Sequence, residues 1–583
     1  MVFQQCQWSN PTAGHDVSWV IPKLLGVNET PTYAEMVTMC EALAASDDRC
    51  TLHEIGVGDC GRPILALVLS TSLDQGASGP GLDGVRLRLN DDTKVRILVN
   101  NAIHPGEPCG VNASLALAAE WLSTQDSPNH PLRSMDWVFI PQYNVGGALR
   151  RNCCTRANQQ GPEAYGFRGN AQNLDLNRDF IKMDSRNAEA FVSLFHAVEP
   201  HVFVDTHTSN GADYPYTMTL ITTQEDKAGP VMGPFLRNIM EPALYQGMEE
   251  SGWPMVPYVY SLGETPSEGI RGFLETPRYS TGYAVLWGAI GFTTEAHMLK
   301  PFEDRVEATK AFLETLSAWL ADHAKEVREL KSREQQRLRH AKKLPVRWGL
   351  APHQPDSIAF TGYVSRREWS AVTQGTRLRY DTTSTWTRDI PFHNRYDEVE
   401  TLQVPEAWIL PQAWRNVATR LLANGIEMTQ LPADTTMLLE VCTIEAFQSS
   451  PRPYEGHHPL TIDSVRKEVL PVALFKGDWV IPSDQLGKRY LAEVLSPLAH
   501  DAFLVWNGFD AALQRKEYYS DYVFEDTAEE MLKHDAQLMD QFQAAQIEHP
   551  EWKEKPWLAL RWLYAKSPHE EGTAFRYPIY AQP

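Results

Sequence analysis

No stretch of the chain holds about 18 consecutive apolar residues, the length a helix needs to cross a bilayer, so the sequence predicts no membrane span. Basic charge is scarce: 53 Lys and Arg against 74 Asp and Glu leave a formal net charge of -21, which disfavours nucleic acid and anionic membrane as partners. Cysteine is also sparse, eight in 583 residues with no C-x-x-C pair, which argues against a disulfide framework or a zinc ribbon. Cys153 and Cys154 are adjacent, and Cys40, Cys50 and Cys60 read as packed free thiols. The opening residues Met1 to Gln7 lack a basic segment followed by an apolar one. The expected compartment is therefore the cytoplasm, or the periplasm or exterior if a leader has been removed. Internal repeats and low-complexity segments are absent.

What is present concentrates between residues 50 and 330. Gly56 to Gly61 satisfies G-x-G-x-x-G, but Arg62-Pro63 leads into the apolar run Ile64 to Leu69 rather than into a helix, so the segment predicts a hairpin turn and not a nucleotide site. His-x-x-Glu occurs three times. His196/Glu199 and His323/Glu326 fall in charged segments with helical spacing and read as solvated surface couples. His104/Glu107 differs: it follows the strand-like Val95 to Val99 and precedes a helix pattern over Val111 to Leu122. His207 follows the buried-strand run Pro200 to Asp205, and Glu295 follows Ala289 to Thr294. Three strands thus deliver metal-compatible or acidic groups where they end, the position at which open α/β sheets build their sites. His104, Glu107 and His207 form a ligand set that leaves one zinc position open for water, with Glu295 free to act as base.

The ordered series HPGE at 104–107, NLDLNRDF at 173–180, DTHTS at 205–209 and FTTE at 292–295 resembles the M14, carboxypeptidase A-like zinc carboxypeptidases over residues 50 to 320. The resemblance implies one zinc ion per chain on His104, Glu107 and His207, with Glu295 as the catalytic carboxylate. Asn177 and Arg178 match the pair that grips a free C-terminal carboxylate, and Asp175 matches the acceptor that orients the first zinc histidine. The oxyanion-stabilising arginine falls to Arg156 or Arg168, and the substrate tyrosine to Tyr279 or Tyr283. No acidic residue stands near Ser280 to Gly282, where the family's pocket floor falls, which favours neutral substrate side chains. Against the negative chain, Arg150 to Arg186 forms a locally basic stretch suited to a peptide carboxylate.

The expected activity is zinc-dependent hydrolysis of the C-terminal bond of a peptide. A related zinc amidase or deacylase, acting on cell-wall peptides or modified amino acids, is the alternative. A catalytically inactive binding protein of the same fold is the third class, which the intact ligand set with Glu295 argues against. The expected architecture is α/β: a mixed, mostly parallel sheet with helices on both faces, followed by a second, β-rich α+β domain. Alternating strand and helix patterns close in a charged helix from Val306 onward, and a basic stretch precedes Leu344-Pro345. The boundaries are therefore 1–343, with a lead-in over 1–50, and 344–583. In the second part, helices are expected over Pro411 to Asn424, Gln485 to Ala499 and Trp557 to Ala565. Its aromatics, among them Trp506, Phe509, Tyr518, Tyr519 and Tyr522, read as core or interface, and the part as a whole as packing beside the cleft and restricting entry.

Overall fold

The computed structural model describes residues 17–583 apart from 73–80, 126, 129, 353 and 354. Residues Met1 to Gln7, read above for a leader, lie outside the described residues. The central sheet has eight strands in the order β1-β2-β4-β3-β5-β10-β6-β7. They are β1 (Cys50–Val57), β2 (Pro63–Leu69), β3 (Val95–Asn100), β4 (Met135–Ile140), β5 (Val202–Ser209), β6 (Met218–Thr222), β7 (Met255–Pro257) and β10 (Ile290–His297). Two short strands, β8 (Tyr260–Ser261) and β9 (Ile270–Arg271), belong to a separate sheet. The middle pairs β4-β3, β3-β5 and β5-β10 are parallel, while β1-β2, β2-β4 and β10-β6 are antiparallel. The β-branched and aromatic runs that form the middle strands are covered on both faces, as parallel strands require.

Two apolar clusters lie on the two faces. One gathers Met36, Leu115, Phe312 and Leu316 from the helices Tyr33–Ser46, Cys109–Ser123 and Phe302–His340. The other gathers Phe191 and Leu194 from the helix Arg186–Val198, and continues without a break into Leu421, Tyr490 and Tyr577. Residues from both sides of position 343 therefore fill one core, where each fully buried large side chain contributes about 1.5–3 kcal/mol.

Beyond the long helix come β11 (Lys343–Leu350), the hairpin β12 (Asp356–Ser370) and β13 (Gly375–His393), β14 (Tyr396–Gln403), β15 (Ala407–Leu410) and β16 (Thr429–Gln430). A second long hairpin, β17 (Thr435–Ser449) and β18 (Leu460–Leu474), then β19 (Trp479–Pro482) and β20 (Tyr580–Gln582), complete the strands. β13 pairs with β9, so this β-rich part also adds strands to a sheet begun before residue 343.

Several local expectations shift. The helices expected over Pro411 to Asn424, Gln485 to Ala499 and Trp557 to Ala565 run over Arg415–Ala423, Lys488–Leu495 and Pro556–Tyr564. The first begins late because Pro411 to Trp414 forms a turn, with the Trp414 N–H on the Pro411 carbonyl; Gly425 ends it with φ +70°. The segment Gly56 to Gly61 is the β1-β2 hairpin turn, as expected. His196 is not a solvated couple: it lies against Trp287 and within 3.3 Å of the Tyr283 hydroxyl, and burial pushes its pKa down to about 4. Trp506 and Phe509 are buried, but Tyr518 and Tyr522 are exposed. Cys153 and Cys154 form a disulfide, while Cys40, Cys50 and Cys60 are free.

Candidate active site

His207 and Glu295 are cross-strand partners. In the parallel ladder between β5 and β10, Asp205 faces Thr293 and His207 faces Glu295. Side chains alternate along a strand, so Asp205, His207, Thr293 and Glu295 share one face. β5 runs four residues past Asp205 and β10 three past Thr294, so His207 and Glu295 lie within the strands rather than beyond their ends, with Thr208 and Ser209 paired to Ala296 and His297.

His104 and Glu107 come from the loop between β3 and the helix Cys109–Ser123. The loop turns tightly, with the Glu107 N–H on the His104 carbonyl at 2.8 Å. Its helix can approach β5 closely because residue 110 is glycine: a Cβ there would lie 2.0 Å from Thr206 Oγ1 and 2.4 Å from Asn101 Oδ1. Glu107 is then held from several sides. Its Oε2 accepts from the Thr208 N–H at 2.9 Å and lies 3.0 Å from His207 Nδ1. Its Oε1 accepts from Arg156 at 2.7 Å and lies 3.1 Å from His104 Nδ1.

The imidazoles are oriented alike. His104 Nε2 lies 2.8 Å from Asp175 Oδ1, and His207 Nε2 lies 3.0 Å from Asp205 Oδ2, so in both rings Nδ1 faces the third group. One ligand atom from each of His104, Glu107 and His207 lies within 4.8 Å of the others, all buried. His104 Nδ1 is buried without a hydrogen-bond partner, as a nitrogen aimed at a cation would be. Two imidazoles and a carboxylate with open space beside them fit a catalytic zinc site.

Electrostatics follow from this packing. Burial alone would raise Glu107, but His104 and Arg156 outweigh it and hold the carboxyl well below the usual range. Burial would lower His207, yet Asp205 and Glu107 on its two nitrogens hold it well above the ordinary value. Asp175 is likewise held low, by His104, Arg168 and Arg178 against the pull of burial. Glu295 behaves oppositely: desolvation, opposed by His207 and reinforced by Glu107 and Asp205, pushes it up to about 8. One site thus contains a carboxyl built to stay ionised and another poised to carry a proton.

A cleft of about 250 Å³ opens over these groups. Its lining includes His104, Glu107 and His207 with Arg168, Asn177, Arg178, Tyr279 and Glu295. Residues 36–215 match the model of the M14 peptidase family, described as zinc carboxypeptidase. That stretch of the chain is therefore similar to the M14 zinc carboxypeptidases. It is 22% identical over 431 residues to Carboxypeptidase 2 of Trichophyton rubrum, covering 70% of this chain and 73% of that one. Carboxypeptidase 2 of Trichophyton equinum aligns over the same length at 21%. Among solved structures, a putative carboxypeptidase A from Shewanella denitrificans overlaps with 17% identity and a TM-score of 0.36, over 50% of this chain and 69% of that one.

Around this cleft the remaining expected residues separate. Arg168 lines the cleft; its Nε and Nη2 grip Asp175 Oδ2 at 3.1 and 2.9 Å, and Nη1 lies 3.5 Å from Glu107. Arg156 instead packs behind Glu107 and beside Gly106. Tyr279 lies at the cleft, with the Arg178 guanidinium 4.5 Å from its ring centre. Tyr283 does not: it is fully buried among Phe180, Phe191 and Phe195 on the face of the sheet, its hydroxyl donating to Asn424 Oδ1 at 2.7 Å. Tyr279 is the extended residue that precedes the helix Ser280–Ala284, with ψ 157°, whereas Tyr283 lies inside it, so the two side chains do not share a helix face. The basic stretch is not one surface either. Arg151 binds the carbonyls of Thr30 and Pro31, Lys182 is buried on Asp179 and Asp184, and only Arg168 and Arg178 reach the cleft.

Glu275 was missed. It lines the same cleft, buried, with its carboxyl accepting from Thr281 Oγ1 and pushed up to about 8 by desolvation despite nearby Lys227. It precedes the 280–282 region by five residues in an irregular segment, where no periodicity indicates direction.

Proposed function

We propose that this metallocarboxypeptidase hydrolyses the last peptide bond of substrates with a free C-terminal carboxylate, using one zinc ion held by His104, Glu107 and His207. The observation carrying this reading is the shared cleft: a buried His, Glu, His trio, a partly accessible carboxyl register-paired with one of them, and an arginine-asparagine pair line one cavity. Bound zinc supplies a Lewis acid for the scissile carbonyl and lowers the pKa of a water to about 7.

The chain's own residues do the rest. Glu295 takes the proton of the attacking water and passes it to the leaving amine, a task suited to a carboxyl whose pKa is raised by burial. Arg168, rather than Arg156, meets the charge developing on the carbonyl oxygen, since its Nη1 edge faces the cleft while its other edge is anchored on Asp175. Arg178 and Asn177 bind the terminal carboxylate, and Asp175 and Asp205 fix the two imidazoles.

Two measurements test this. Glu295→Gln should lower turnover by at least about 100-fold while metal content stays at one ion per chain. A peptide should be cleaved and its C-terminal amide spared; equal turnover of both would remove the carboxypeptidase assignment in favour of an amidase.

A further inference from the structure

The loop between β17 and β18, in the second half of the chain, reaches the substrate cleft. Its tip is a two-residue turn: Tyr454 and His457 exchange both backbone hydrogen bonds, at 2.7 and 3.1 Å, around Glu455 and Gly456 with φ of +49° and +80°. Positive φ at both central positions is what a tight type I′ turn demands, and a glutamate there costs strain that surrounding contacts must offset. The turn makes those contacts. The Glu455 carboxylate accepts from the Asp175 N–H at 2.6 Å, and His457 Nε2 lies 2.7 Å from Asp184. Trp506 stacks beneath the Tyr454 ring.

The effect falls on Arg178. Its Nε donates to the Tyr454 hydroxyl at 2.9 Å, its Nη1 donates to the Asn177 carbonyl at 2.8 Å, and Tyr279 underlies its plane. A guanidinium offers five N–H groups and can meet a carboxylate by either of two forked edges that include Nη2. With Nε engaged by Tyr454 and one Nη1 N–H on the Asn177 carbonyl, the second Nη1 N–H and Nη2 form the edge left for a ligand.

We infer that Tyr454 is a positioning residue for substrate recognition: by occupying Arg178 Nε it fixes which edge of the guanidinium receives the substrate's terminal carboxylate. The inference rests on the assignment of Arg178 as the carboxylate-binding group. The second half of the chain thereby supplies part of the specificity site rather than a distant accessory.

The test is a double-mutant cycle on the full-length, metal-loaded enzyme with a peptide substrate. Tyr454→Phe should raise KM about tenfold, leave kcat within about twofold and leave the thermal midpoint unchanged, because one hydrogen bond to a charged group is removed without loss of packing. In the Arg178→Gln background the same change should add less than about twofold, since the two act as one unit. If Arg178→Gln raises KM and Tyr454→Phe does not, or if Tyr454→Phe acts equally in both backgrounds, the positioning role is overturned while the carboxylate site stands. If Arg178→Gln itself leaves KM unaltered, the carboxylate assignment fails and takes the inference with it.

Discussion

Asp175 shows how much one side chain is asked to do. It accepts from His104, Arg168 and its own neighbour Asn177, so a single carboxylate orients a metal ligand and anchors the proposed oxyanion donor. Asp175→Asn should weaken zinc binding by about 10- to 100-fold, read by competition with a chelator of known affinity, and excess zinc should recover part of the turnover. Unaltered affinity would show that His104 needs no such partner. At this scale the motifs single out His104, Glu107, His207 and Glu295, which the structure brings to one cleft, because strand-end runs and ordered spacing signal them. Direction is what sequence does not encode: Tyr279 and Tyr283 are four residues apart, yet one lines the cleft and the other is packed in the core. Tyr454 was beyond reach, since 276 residues separate it from the Arg178 it touches.

Secondary elements place these side chains through close approaches that sequence patterns understate. The helix Cys109–Ser123 begins two residues after Glu107, and its distance from β5 is set by Gly110 against Thr206 and Asn101. Gly110→Ala should destabilise the fold by about 1–3 kcal/mol and also reduce metal affinity, because the helix must shift and carry Glu107 with it. Differential scanning calorimetry and a zinc titration would check both arms. Strand β5 contributes a second element-scale device. His201, just before it, accepts the Arg96 N–H on Nδ1, and burial followed by Lys331 and Arg96 pushes its pKa down to about 2. The folded state keeps this imidazole neutral while the unfolded chain protonates near 6.5. Stability is therefore complete above about pH 6.5 and falls as pH drops towards the folded value, by about one proton in slope. Denaturant titrations between pH 4 and 6 should show a shallower fall in His201→Asn, which keeps an acceptor but cannot titrate.

At the scale of the whole molecule, the apolar cluster behind the site ignores the boundary expected at 343. Phe180, Phe191 and Tyr283 share it with Leu421, Tyr490 and Tyr577. A fragment ending at residue 343 should therefore expose that surface, bind a hydrophobic dye and aggregate; a monomeric fragment that cleaves peptides normally would show that the two halves fold independently. The alternation of strand and helix patterns made the central sheet legible, and the turn-rich composition made the later β content legible. Which faces meet was not, because surfaces that pack against another part of the same chain read like any other core. The ladder between β5 and β10 has one last consequence. It acts as a ruler on which the Glu295 carboxyl, the proposed base, and the His207 ring, a proposed metal ligand, sit at the same mark, although 88 positions separate them along the polymer. Insertions in the surface loops between the two strands leave that alignment untouched, whereas a single added residue early in β10 would turn Glu295 to the opposite side of the sheet. On the proposed chemistry such a protein would still bind zinc, and would be silent.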